Sequence, residues 1–260
     1  MTSMKDAEAA MNICCCTACS AVAGRAGPLS SPGPHLSRRG FLGRAALASA
    51  AGLLPAAAIE LALAPVARAQ SQLTAEQALH ELVDGNQRFV EQRMTSFAAD
   101  LAVLKQKTAG KQEPFAAVLA CADSRMPVEL IFDQSIGHLF VVRVAGNVAT
   151  GEMIASLEYG AAVLGTKAIM VLGHSNCGAV KAAIAGKAVP GQISGLYRYI
   201  RPAVDQAGTE VDAVGRANAK IQATTLREAS PVLAELIKAG SLEIVAGFYD
   251  LASGKIEILA

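Results

Sequence analysis

The chain has no tryptophan, and aromatic residues make up only 4% of its 260 positions. Charge is scarce as well: Asp, Glu, Lys and Arg account for 17%, and the formal net charge is +1. A near-neutral total supplies no basic field, so no nucleic-acid partner is expected. Low charge beside 52% hydrophobic residues excludes a chain that is disordered throughout. No internal repeat or low-complexity segment occurs beyond residue 70. Cysteine is unevenly spread. Cys14, Cys15, Cys16 and Cys19 lie near the start, and residues 70–260 contain only Cys121 and Cys177. Such a pair admits a disulfide, a metal site or two unrelated thiols.

The first 69 residues differ from the rest, with six of the 23 Lys and Arg but only three of the 22 Asp and Glu. Ser37-Arg38-Arg39-Gly40-Phe41-Leu42 is a twin-arginine pattern, followed by an apolar stretch over 45–66 and by Ala67-Arg68-Ala69. This resembles a twin-arginine export signal, with cleavage expected after Ala69 and the mature protein in the periplasm. Pro55 and Glu60 interrupt the apolar stretch. A charge near a bilayer centre costs about 2.5–3.5 kcal/mol, so no stable membrane anchor is expected. No Cys follows the stretch, which argues against lipid attachment there. The four early cysteines lack a His partner and lie upstream of the signal, so they are assigned to the leader. The expected division is a leader over 1–69 and one domain over 70–260. The twin-arginine machinery passes proteins already folded, which suits a chain whose two remaining thiols could otherwise pair on entering an oxidising compartment unfolded.

Within 70–260, Thr74-Ala75-Glu76-Gln77 fits a capping box, and Leu79, Leu82, Val83 and Phe89 predict an apolar helix stripe. A second helix is expected over 98–108. An unbroken apolar run over 115–120 predicts a buried strand, and 138–144 (H-L-F-V-V-R-V) and 168–172 (A-I-M-V-L) are expected to be further buried strands. Helices are predicted over 151–164, 178–185, 211–228 and 231–239. Two closing strands, 242–249 and 255–259, meet at Ser253-Gly254. The alternation implies an α/β fold with a largely parallel central sheet flanked by helices.

Cys121-Ala122-Asp123-Ser124-Arg125 follows one predicted strand, and Gly173-His174-Ser175-Asn176-Cys177-Gly178 follows another. Sites in open α/β sheets form beyond the carboxyl ends of strands, so the two loops can converge. Two thiolates and an imidazole suit zinc, and three protein ligands leave one position for water. His174 and Cys177 are three apart, which lets one turn present both, and a helix start at Cys177 favours its thiolate. Two thiolates neutralise Zn²⁺; Asp123 as a fourth ligand closes the site. Arg125, by pairing with Asp123, keeps that position open. Taken singly, Cys121 reads as a core thiol, Asp123–Arg125 as a surface pair and His174 as a loop histidine. Together they favour the metal over the disulfide, which leaves His174, Asp123 and Arg125 without a role.

The motifs C-A-D-S-R-M-P, V-V-R-V-A-G-N and V-L-G-H-S-N-C-G-A-V, with the tail G-F-Y-D-L-A-S-G-K-I-E, resemble the β-class carbonic anhydrases. The resemblance implies reversible hydration of CO₂ to bicarbonate by hydroxide on zinc, with Cys121, His174 and Cys177 as ligands and Asp123–Arg125 as a dyad. Gln112, Phe140 and Tyr159 match substrate-pocket residues of the plant-like subclass, where they come largely across a dimer interface. Gly178 is assigned to the same pocket. Read alone, Phe140 and Tyr159 are ordinary core aromatics. Val118 stands where another subclass has the Trp that pins a regulatory bicarbonate, and Met126 replaces a more usual Val. The family builds homodimers wrapped by N-terminal helices, and tetramers. Relatives of the fold hydrolyse carbon disulfide or carbonyl sulfide with the same metal set, and a non-catalytic zinc protein is the third reading.

Overall fold

In the computed structural model, residues 71–96 and 101–259 are described, apart from the side chains of 102–104. The leader expected over 1–69 lies outside them. The strands are β1 (Ala116–Ala120), β2 (Leu139–Arg143), β3 (Ala168–His174), β4 (Glu243–Tyr249) and β5 (Ile256–Leu259). They form one sheet in the order β2-β1-β3-β4-β5, parallel except for the antiparallel β4–β5 pair. Every residue of β1 and β3 is buried. That is why these segments read as apolar runs without alternation: both faces of the sheet are covered.

The helices are α1 (Ala75–Val90), α2 (Leu101–Thr108), α3 (Val128–Ile131), α4 (Gly151–Glu158), α5 (Gly178–Ala185), α6 (Tyr197–Ala207), α7 (Val211–Ala229) and α8 (Pro231–Lys238). Ala117, Leu119, Ile169 and Val171 of the sheet pack with Leu157 of α4, Ala219, Ala223 and Leu226 of α7, and Leu233 of α8. On the other face Ala116, Val118, Met170 and Leu172 pack with Ala78 and Leu82 of α1 and with Val128 and Ile131 of α3. Val118 is thus an ordinary core residue.

Helix α1 begins with the expected capping box, Thr74 and Gln77 exchanging hydrogen bonds at 2.8 and 3.2 Å. Its buried face differs from the predicted stripe. Ala78, Leu82, Gly85 and Asn86 are buried, whereas Val83 is 43% exposed. Close approach at Gly85 sets this rotation, since a Cβ there would lie 1.9 Å from the Phe132 carbonyl oxygen. Asn86 then donates to the Ile131 and Gly254 carbonyls and accepts from Ile256 N–H, tying α1 to α3 and to the β4–β5 turn.

Two further elements differ, and one predicted helix start lies outside the described residues. The helix predicted from 98 is described from Leu101, and 97–100 lie outside the described residues. The helix expected over 151–164 is α-helical only to Glu158 and continues as a π-helical turn, Tyr159–Val163. Helix α6 was not expected, because Pro202 lies inside it.

Candidate metal centre

Ala120 at the end of β1 pairs with Leu172 of β3, and β3 runs on through Gly173 to His174. Cys121, the next residue after β1, and His174 therefore lie at the same edge of the sheet. Asn176 turns the chain with φ +57°, a left-handed conformation that Asn tolerates better than most residues. Its N–H donates to Asp212 Oδ1 at 2.8 Å, near the start of α7. The turn brings Cys177 back as the N-cap of α5. The donor atoms of Cys121, His174 and Cys177 all lie within 4.8 Å of one another, and all three residues are buried. Both cysteines are free thiols, so the disulfide alternative is not the arrangement found.

The His174 ring is fixed by its Nδ1, which donates to the Ser175 carbonyl at 2.9 Å. Ser175 is itself held by Tyr249 O and Leu251 N–H. Nε2 then keeps its lone pair, is buried, and has no hydrogen-bond partner. A buried nitrogen left unpaired costs about 1–3 kcal/mol, which a cation at this point would recover. The donor set fits zinc on that ground: two sulfurs, one orphaned imidazole nitrogen, and a second hydrogen bond that fixes the tautomer.

The two thiols act on each other. A hydrogen bond from the Cys177 thiol lowers the Cys121 pKa, opposed by burial and aided by the Gly146 N–H, 3.3 Å from Sγ. Cys177 is shifted up, first by that same bond to Cys121 and then by burial. The helix start does act on Cys177 through the Val180 and Ala179 backbone, but the neighbouring thiolate outweighs it. Without a cation, two adjacent sulfurs cannot both ionise, whereas the charge of a bound divalent ion would let both serve as thiolates.

Asp123 and Arg125 meet as expected. Arg125 Nε and Nη2 donate to Asp123 Oδ1 at 2.9 Å and Oδ2 at 2.7 Å, and the Arg125 backbone N–H reaches Oδ1 at 2.9 Å. The Arg125 guanidinium holds the Asp123 carboxyl well below the usual carboxylate range, against burial and with help from that backbone N–H. Asp123 Oδ2 is 3.9 Å from His174 Nε2. Arg143, which sequence reading left without a role, donates to the Cys121 and Asp123 carbonyls at 3.0 and 2.6 Å and so fixes the loop after β1.

The residues expected to form the pocket are divided. Gly178 stands beside Cys177, and a Cβ on it would meet nothing within 4 Å, so open space adjoins the donors. Phe140 on β2 and Tyr159 have ring centroids 6.2 Å apart. Gln112 and Tyr159 line a depression of about 490 Å³ with Lys111 and Leu164. Gln112 precedes the start of β1 while Cys121 follows its end, so one chain does not bring Gln112 to the metal donors.

The carbonic anhydrase family profile matches residues 116–256. Carbonic anhydrase 2 of Mycobacterium tuberculosis H37Rv is 36% identical over 182 residues, covering 67% of this chain and 87% of that protein. The carbonic anhydrase of Pseudomonas aeruginosa is 34% identical over 198 residues, covering 70% and 87%. Among solved structures, the Coccomyxa β-carbonic anhydrase in complex with acetazolamide superposes with a TM-score of 0.56 at 27% identity, covering 70% of this chain and 86% of that one. A tetrameric β-carbonic anhydrase of Sordaria macrospora has the same fold, with a TM-score of 0.56 at 24% identity over 71% and 98%. A parallel sheet carrying Cys–His–Cys donors at its strand ends fits this set of relatives. The chain belongs to the β-class carbonic anhydrase family. Enzymes of this class use zinc, and Cys121, His174 and Cys177 are a group able to hold it.

Proposed function

We propose that the protein catalyses reversible hydration of CO₂ to bicarbonate and a proton, with zinc held by Cys121, His174 and Cys177. The observation that carries this reading is His174 Nε2, buried without a partner in a cluster whose donor atoms lie within 4.8 Å. Zinc, when bound, supplies the positive charge that makes water acidic near neutral pH.

The chain's own residues supply the rest. Arg125 occupies both Asp123 oxygens, so the carboxylate is held off the metal position while Oδ2 remains 3.9 Å from His174 Nε2. Asp123 stays ionised across the neutral range because its pKa is lowered. It therefore accepts a hydrogen bond from the reacting water and orients it; it does not donate a proton. Its release by Arg125 would let it take the fourth position and close the site.

We further propose the plant-like pocket, with Gln112, Phe140 and Tyr159 reaching the donors of a second copy. Support comes from the placement of Gln112 at the far end of β1 and from Tyr159, which is 47% exposed beside Phe140. An apolar wall with few donors suits an apolar substrate and an anionic product. Export through the twin-arginine machinery rests on residues 37–69 alone, and the cell fraction in which the protein collects tests it.

Stopped-flow CO₂ hydration on the metal-analysed full chain tests the reaction. The rate rises with pH through neutrality, and Asp123→Ala keeps zinc but loses at least about 100-fold in turnover. A pH-independent rate, or full activity in Asp123→Ala, overturns this assignment.

A further inference from the structure

We propose that Asn218 and Gln222, two buried amides of α7, are positioning residues for the Cys121 thiolate and act on it through Gly146. The inference rests on the metal reading above. Cys121 Sγ accepts the Gly146 N–H at 3.3 Å, and Gly146 holds that direction with φ +77°. A side chain is disfavoured there twice over, by the left-handed backbone and by Ile200 Cδ1, which would lie 2.8 Å from a Cβ.

The Gly146 carbonyl is fixed in turn. Asn218 Nδ2 donates to it at 2.8 Å, and Asn218 Oδ1 accepts from Gln222 Nε2 at 3.1 Å. Gln222 Nε2 also donates to the Tyr199 carbonyl at 3.0 Å, and its Oε1 accepts from Ala149 N–H at 2.9 Å. The loop from β2 to α4 is thus pinned at 146 and at 149 by one pair of side chains. Asn218 is 0% exposed and Gln222 2%. Two amides at such positions cost several kcal/mol unless each polar atom is paired, and these are paired chiefly toward this loop.

An N–H donated to a thiolate draws charge from the sulfur and orients its lone pairs. Loss of the Asn218 bond frees the Gly146 carbonyl, the loop turns, and the sulfur loses its donor. Asn218→Asp, read at alkaline pH where the new carboxyl is ionised, tests this at nearly constant size, because a carboxylate keeps the acceptor for Gln222 and cannot donate to Gly146. Two readouts besides activity apply: zinc affinity by chelator competition, and the thiolate-to-metal absorption band of the cobalt-substituted full chain.

The expected result is about tenfold weaker zinc binding and a band moved to longer wavelength. Folded Asn218→Asp with unchanged band and affinity overturns the proposal. Thr225→Val is the control on the same helix, since among the described residues Thr225 Oγ1 donates only back to Ile221 O, at 2.9 Å. It lowers the melting temperature without moving the band; an equal band shift there makes helix stability the cause and overturns the proposal. If Asn218→Asp does not fold, Gln222→Met is judged by the same two outcomes. A wild-type protein without any thiolate band refutes the metal reading itself, a failure distinct from an unshifted variant.

Discussion

Arg125 donates two guanidinium N–H bonds to one carboxylate, and the consequence can be read at a single side chain. In Arg125→Ala, Asp123 loses both guanidinium bonds while remaining within 3.9 Å of His174 Nε2. The expected outcome is retained zinc, an X-ray absorption edge altered by a carboxylate ligand, and CO₂ hydration reduced by at least about 100-fold. An unchanged edge with full turnover sinks the latch. The main donors were legible because residues 70–260 hold only two cysteines and His174 stands three residues from one of them. Gly146, Asn218 and Gln222 were not. The V-A-G-N stretch was noted for its resemblance, but bonds that join residues 25 and 72 positions apart leave no spacing in the sequence.

Helices α1 and α3 illustrate what pattern reading can and cannot supply at the level of elements. Asp133, just past α3 with φ +47°, has a fully buried carboxylate that accepts from Arg88 Nε at 2.6 Å and from the Thr95 and Ser96 N–H groups at 2.9–3.0 Å. Burial pushes its pKa up, and the bonds from Arg88, Ser96 and Thr95 more than reverse this, leaving it lowered. A lowered carboxyl contributes stability that is complete above its unfolded value of about 3.9 and is lost as pH falls below it. Asp133→Asn should cost about 2 kcal/mol near neutrality and flatten the loss of stability in acid. Denaturant titrations at pH 7 and pH 3 check this; equal losses at both values contradict it. None of these partners could be guessed from 133 outward. Strands β1 and β3, by contrast, announced themselves as apolar runs. Helix α6 was hidden by Pro202, worth about 3 kcal/mol against an isolated helix. It forms because Ile200, Ala203 and Val204 are buried against the α5 and α7 side of the core.

For the whole molecule, β2 is an edge strand, and Tyr159 and Val163 in the turn after α4 are 47% and 48% exposed. A pocket residue at the wrong end of β1 and an exposed aromatic beside Phe140 make sense if a second copy covers them. Tyr159→Arg is expected to shift sedimentation toward the monomer and to lower CO₂ hydration at least about tenfold while zinc content stays unchanged. Wild-type chains that sediment as active monomers contradict the shared pocket. The parallel fold was readable from the order of strands and helices, but which faces a second copy closes is a property of surfaces, and sequence order does not encode it.

The side-by-side ends of β1 and β3 carry a thermodynamic linkage. In an unfolded chain Cys121 is 53 positions from His174, and only the completed strand pair makes it a neighbour of His174 and Cys177. Loading with zinc therefore drives folding by mass action: each tenfold excess of free ion over its dissociation constant adds about 1.4 kcal/mol to the native state. A bound ion would clamp together the carboxyl ends of two neighbouring strands.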